Sequence, residues 1–358
     1  MDLKQAIKKY DITDIAQINE EQHVRLARKV AEMISNKFNY IDYDYIYNKM
    51  MATKVYIGHI RNISNKAIYA FDDDSLIIDK NQDLNEMTRE LLFECVHTIQ
   101  DRRNKKGELQ QLGQITLTTF KEYAIAINET AVQYIVSKTL ENKKISTEVF
   151  GIKVNTFHTD KYALICNILE QLKFVIGENQ LVKSTIYATD DFIVDGYDAI
   201  TKTIFDNVQN NMDKMLFAEE EIQTLKRNIT EDNKEQNKKL IYENEELIKS
   251  LYMDSQMSIF TSHFDTIYKR IQTLLDLTYY KAKLEEYKGL IGVDSNKEKD
   301  YMMQYYERYC ENKRKELTIK EVQIKAKNNV ALTVVSNNII IKVLTKLREA
   351  ASRLLNRA

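Results

Sequence analysis

The sequence predicts an α+β fold that is mainly helical, with a small antiparallel sheet and two paired helices followed by an all-helical region. Three observations lead there. Short β-rich runs are confined to residues 54–80, apolar residues elsewhere recur at helical spacing, and proline is absent from the 358 residues while glycine numbers only 8. Proline ordinarily makes up ~5% of a chain, and its absence permits long uninterrupted helices. The length exceeds what one compact core usually fills. The expected division is a mixed domain over 1–204, a helical or coiled-coil region over 205–330, and a basic amphipathic helix over 331–358.

The elements follow in order. Residues 1–50 read as two short helices, with apolar spacing through Ile15, Ile18, Val24, Leu26, Val30 and Ile34. Lys54 to Ile60 (KVYIGHI), Ala67 to Phe71 (AIYAF) and Ser75 to Asp79 (SLIID) are β-rich and separated by Asn, Ser and Asp turns. Helices are expected over 83–104 and 117–140, joined by a polar loop holding Gly107 and Gly113. Residues 160–200 read as mostly helical. The Glu-, Lys- and Asn-rich stretch 215–252 suggests a long exposed helix or irregular coiled coil. Helices near 255–290 and 297–328 follow, with a turn at Gly289–Gly292.

Composition excludes several functional classes. Formal net charge is -1, which argues against a protein whose main partner is nucleic acid. Cys95, Cys166 and Cys310 are far apart and odd in number, which suits a reducing compartment. The N-terminus is charged from Asp2 and has no apolar core of a signal peptide, and no apolar run reaches the ~18 residues of a membrane span. A cytoplasmic protein is expected. No Gly-rich phosphate loop or nucleophile elbow is present.

The chemistry-bearing segment is Glu90 to Asp101, ELLFECVHTIQD. On a helical wheel, Leu91, Leu92, Cys95, Val96 and Ile99 form one apolar stripe. Phe93 falls on the opposite, polar side, one turn from His97. Cys95 points away from Glu94 and His97 and reads as a buried, inert thiol. A zinc-peptidase helix needs H-E-x-x-H, because positions i and i+4 face the same way and grip one ion while the Glu activates its water. Here the pattern is F-E-C-V-H, so Glu94 holds the general-base position, His97 the second-ligand position, and Phe93 the lost first-ligand position. Residues 123–136, YAIAINETAVQYIV, are apolar at ten of fourteen positions, the mark of a buried helix. Glu129 within it needs a partner, and His97, 32 residues earlier, is the natural one.

These residues resemble the gluzincin branch of zinc metallopeptidases, in which the H-E-x-x-H helix is followed by a helix supplying a Glu ligand in an N-E motif, here Asn128–Glu129. The strand SLIID resembles that family's edge strand, which can bind substrate as an added strand. Tyr162, Ile168, Leu172, Ile176–Gly177, Leu181 and Tyr187 are similar to the following helical segment in metallopeptidase-like proteins of low-GC Gram-positive bacteria. The resemblance covers roughly the first 200 residues. It implies a zincin-like domain with zinc held by His97 and Glu129. Two departures stand against catalysis: Phe93 cannot coordinate metal, and Gln133 occupies a position where some gluzincins keep an Asp.

Three readings of the site follow. One is an ordinary amphipathic helix with no special role. The second is a zincin fold that has lost zinc catalysis and its cofactor, with a remnant cleft open to a peptide or protein. The third is a live zinc peptidase with an unusual ligand such as His59 or His23. His158 and His263 read as structural or surface residues. A separate possibility is a helical scaffold or phage-type structural protein acting through 205–358. Residues 337–358 carry Lys342, Lys346, Arg348, Arg353 and Arg357 against Glu349 alone. They read as a docked terminal helix or as a contact with an anionic membrane surface.

Overall fold

The computed structural model describes residues 1–61, 66–117, 122–157, 162–294 and 301–355; within them, side chains at 116–117, 122–123, 301, 328–341, 343–344 and 347–355 are not described. Met1–Thr266 with Glu286–Glu298 form one compact unit, and Ile267–Glu285 with Lys299–Ala358 a second. Position 204, the expected end of the first domain, lies inside the first unit. The fold class is α+β and mainly helical, as the sequence predicts.

The first unit opens with α1 (Leu3–Lys9), β1 (Ile12–Gln17), α2 (Glu20–Lys37) and α3 (Tyr43–Ala52). Side-chain caps start the helices: Asp2 accepts from Gln5 N–H, Asn19 from Gln22 N–H, and Asp42 from Asp44 N–H. Strand β1 was not expected. Its run ITDIAQ has little alternation, and it is drawn into a sheet by pairing with β2 (Lys54–Ile60).

Strands β3 (Ala67–Ala70) and β4 (Ser75–Asp79) complete this sheet in the order β1-β2-β4-β3. Two expectations are corrected here. The sheet is mixed rather than antiparallel, because β2 and β4 run parallel. The SLIID strand β4 is also interior, lying between β2 and β3; the edges are β1 and β3, and β3 is buried along its whole length as β4 is. A five-residue run buried on both faces is what an interior strand requires.

Below the sheet lie α4 (Arg89–Ile99) and, after an interruption, α5 (Ile125–Thr139). Both are shorter than expected. Between them the chain forms β5 (Asp101–Arg103), β6 (Leu109–Leu112), β7 (Ile115–Leu117) and β8 (Glu122–Tyr123), an antiparallel meander in place of a polar loop. Strands of two to four residues leave almost no periodic signal, which is why the sequence conceals them.

The unit continues through the hairpin β9 (Ile145–Val149) and β10 (Ile152–Thr156), then α6 (Ala163–Ile176), α7 (Glu178–Tyr187), α8 (Asp191–Ile200) and α9 (Lys202–Arg227). Helix α9 packs on α5, α6 and α8. It supplies caps that α5 and α6 lack: Asp213 accepts from Ala126 N–H at 2.8 Å, and Glu219 accepts from Tyr162 N–H at 2.9 Å. The expected long helix over 215–252 is broken at 228–233, where α10 (Lys234–Arg270) begins its own run.

Helix α11 (Leu274–Lys288) ends before the expected glycine turn, and β11 (Val293–Asp294) then pairs with β10. The last helix, α12 (Tyr301–Leu355), is continuous through 331. In the second unit Tyr268 packs against Tyr309 at 5.1 Å and Tyr280 at 6.1 Å. Of residues 337–358, the described side chains Lys342, Thr345 and Lys346 are exposed. Among the described residues, no helix is long and apolar enough to cross a membrane.

Candidate functional site

Helix α4 begins at Thr88, whose hydroxyl accepts from Leu91 N–H at 3.3 Å. Its apolar stripe is buried as expected, with Leu91, Leu92, Cys95, Val96 and Ile99 fully enclosed. Most of the opposite face is enclosed as well, although Glu90 is exposed. His97, Thr98 and Gln100 are buried too, because α5 and the meander fold over a face that is polar in sequence.

Phe93, Glu94, His97 and Glu129 line one cleft together with Tyr69, Phe71, Leu109, Leu112 and Ile115; it encloses about 290 Å³. Helix α4 contributes the first three, α5 contributes Glu129, β3 and its following turn contribute Tyr69 and Phe71, and the meander forms the apolar wall. The spacing of Phe93 and His97 puts both rings on one side of α4, edge to face, with centroids 4.7 Å apart. Phe93 is thus covered by the cleft rather than stranded on a polar surface.

His97 Nε2 lies 3.7 Å from Glu129 Oε1, so the expected pairing of these two residues is present. The distance is too long for a hydrogen bond. Burial holds the imidazole down to about 4, so at neutral pH the contact is between a neutral ring and a carboxyl group. Glu129 itself is less buried than its helix predicts: its side chain is 28% exposed, because the cleft opens above it. Its neighbours Asn128 and Thr130 are fully buried.

Glu94 sits at the cleft floor. Its Oε2 accepts the Tyr69 backbone N–H at 2.8 Å. Burial pushes its carboxyl up to about 8, the Tyr69 bond pulling the other way and Glu129 adding to the rise. At neutral pH the floor therefore carries a protonated acid beside a neutral imidazole.

Neighbouring polar residues and one glycine hold this arrangement. Gln100 Nε2 lies 2.6 Å from His97 Nδ1 and fixes the ring. The Asn128 side-chain Oδ1 accepts from Gln114 N–H at 2.9 Å, tying the N-E motif to the meander. Gly113, at φ +55, lies so close that a Cβ there would collide with Gln100 and Asn128. Tyr69 OH donates to Asp101 Oδ2 at 2.8 Å, and Arg103 pairs with the same oxygen at 2.6 Å. Gln133 accepts from Arg89 Nη2 at 2.6 Å, a bond that links α5 to the start of α4. Gln100 lies three residues after His97, and that helical spacing is the one hint available in the sequence.

The histidines considered as alternative ligands lie elsewhere. His23 Nε2 is 2.8 Å from the Met50 carbonyl, and His59 Nδ1 is 3.8 Å from Asp79 in the sheet. Neither lines the cleft. His263 packs its ring against Phe264 at 5.1 Å, and His158 lies outside the described residues. Cys95 is buried with its thiol pushed up by burial, which suits an inert packing residue.

The residues present do not fit a catalytic zinc ion. Such a site uses three protein ligands and one water, whereas this cleft gathers His97, Glu129 and a Glu94 whose Oε2 is taken by the Tyr69 N–H, and Phe93 supplies no donor. Among the described residues, no group of three or more His, Cys, Asp or Glu is arranged to hold a metal. Comparisons with protein-family models, with curated proteins and with solved structures returned no match to this chain.

Proposed function

We propose that this chain is a zincin-like protein that has lost zinc catalysis and whose remnant cleft binds an extended peptide or protein segment. One observation carries the reading: Phe93 stands edge-on to His97 in a cleft that also gathers Glu94, Glu129 and the edge strand β3. The order of elements supports it, with an antiparallel edge strand, a helix carrying F-E-x-x-H beneath it, and a second helix supplying Asn128–Glu129. An apolar wall beside a strand edge suits a peptide, whose backbone pairs with the edge while alternate side chains enter the recess. A cytoplasmic setting belongs to the same reading, since the three cysteines are free and buried.

Metal content tests it. The purified chain, dialysed against a zinc buffer, is expected to retain well under one zinc per molecule. Stoichiometric zinc that disappears on His97→Ala would overturn the reading in favour of a working zinc centre.

A further inference from the structure

Just before β3, the Lys66 carbonyl accepts from Asp79 N–H at 2.8 Å, so residue 66 turns its backbone groups toward β4. Backbone groups alternate sides along a strand. Residue 68 therefore also faces β4, while Ala67 and Tyr69 present theirs on the side away from it. Tyr69 pairs opposite Leu76, yet its N–H is donated to Glu94 on α4. Strand β3 ends its sheet but is buried along its whole length with Glu94 in place, and an added peptide strand would need this same N–H.

We infer that Glu94 is an internal competitor for the β3 edge, a side-chain latch that takes the backbone donor an incoming peptide strand must use. This inference rests on the peptide-binding reading above. The latch is well placed for the task. The Tyr69 hydroxyl is anchored to Asp101 and to Asp74 Oδ1 at 3.0 Å, so the strand is held and the Glu94 side chain is the part that must move for the edge to open. Release leaves the edge beside Phe71, Leu109, Leu112 and Ile115, which selects an extended segment with a bulky apolar side chain at alternate positions. Glu94 thereby does something other than activate water: it occupies the substrate edge.

The test uses fluorescein-labelled, end-blocked heptapeptides of alternating Thr and Leu, with an N-methylated version that cannot pair as a strand, followed by fluorescence anisotropy. Glu94→Ala is expected to bind the Leu peptide roughly 5- to 10-fold more tightly than the native chain, the worth of one backbone hydrogen bond no longer displaced. Glu94→Gln keeps a carbonyl acceptor and is expected to match the native chain, and N-methylation is expected to abolish binding in every form. Binding of equal strength to the native chain and to Glu94→Ala would overturn the latch and leave the cleft reading standing. No binding to any form at millimolar peptide would overturn both. Amide exchange gives a readout independent of peptide: Tyr69 N–H is expected to exchange faster in Glu94→Ala than in Glu94→Gln, with Ile68 protected in both. Unchanged exchange at Tyr69 would also sink the latch. Glu94→Ser serves the same purpose should Glu94→Ala fail to fold.

Discussion

Phe93 and His97 meet edge to face one turn apart on α4, their planes at 77°. The phenyl ring lies against the imidazole in the cleft that Glu129 also lines. An edge-to-face contact of this kind contributes about 0.5–1.5 kcal/mol beyond area burial, so Phe93 adds to the packing of the cleft.

Phe93→His is expected to create a zinc site. It adds a third donor to Glu129 and His97, the number a catalytic-type site requires; His97 Nε2 becomes available once the Gln100 amide turns its oxygen toward Nδ1. Affinity measured by competition with a chromophoric chelator should rise at least roughly 100-fold over the native chain, about 2.7 kcal/mol, and fall back in the His97→Ala double variant. A folded Phe93→His chain with no gain in zinc affinity would show that these side chains do not converge on one point.

The protonation of Glu94 predicts a pH-dependent stability. Its carboxyl ordinarily titrates near 4.5 and is pushed up to about 8. Between those values the folded chain holds a proton that the unfolded chain has released, so this group's contribution to stability falls as pH rises across the window. His97 runs the other way, held near 4 instead of 6.5, and adds stability as pH rises from 4 to 6.5. The trends oppose each other below pH 6.5, and the Glu94 trend stands alone from 6.5 to 8. Glu94→Gln removes it. The melting temperature of Glu94→Gln minus that of the native chain should climb over pH 6.5–8 and then level off; a difference independent of pH would mean Glu94 is ionised throughout.

The Gln100–His97 contact predicts a tautomer. With the Gln100 amide nitrogen donating to Nδ1, the neutral ring carries its proton on Nε2 and presents a donor to the cleft. Nitrogen-15 chemical shifts at pH 7 should report the Nε2–H form. Gln100→Glu replaces that donor by an acceptor and is expected to move the proton to Nδ1, turning a lone pair into the cleft. An Nδ1–H form in the native chain would instead require the Gln100 amide to be turned over.

Much of the candidate site was legible because its signals are local. The spacing of Phe93, Glu94 and His97 is set by one helical turn, and any helix over Arg89–Ile99 places them together. The buried character of Ile125–Thr139 follows from its composition, which also marked Glu129 as a residue in need of a partner. Glu129 proved less enclosed than its neighbours because the cleft opens above it, and opening is not a property of the helix itself.

The sequence by itself determined the mainly helical α+β class, the helix carrying Phe93, Glu94 and His97, and the second helix that brings Glu129 to them. Only the tertiary structure decided that β3 rather than SLIID forms the edge, that a meander walls the cleft with Leu109, Leu112 and Ile115, and that Gln100 and Tyr69 hold His97 and Glu94. The physical reason is range. Helical periodicity is written in residues three and four apart, whereas strand order is chosen by pairing between distant segments, and strands of two to four residues carry too few alternations to declare themselves.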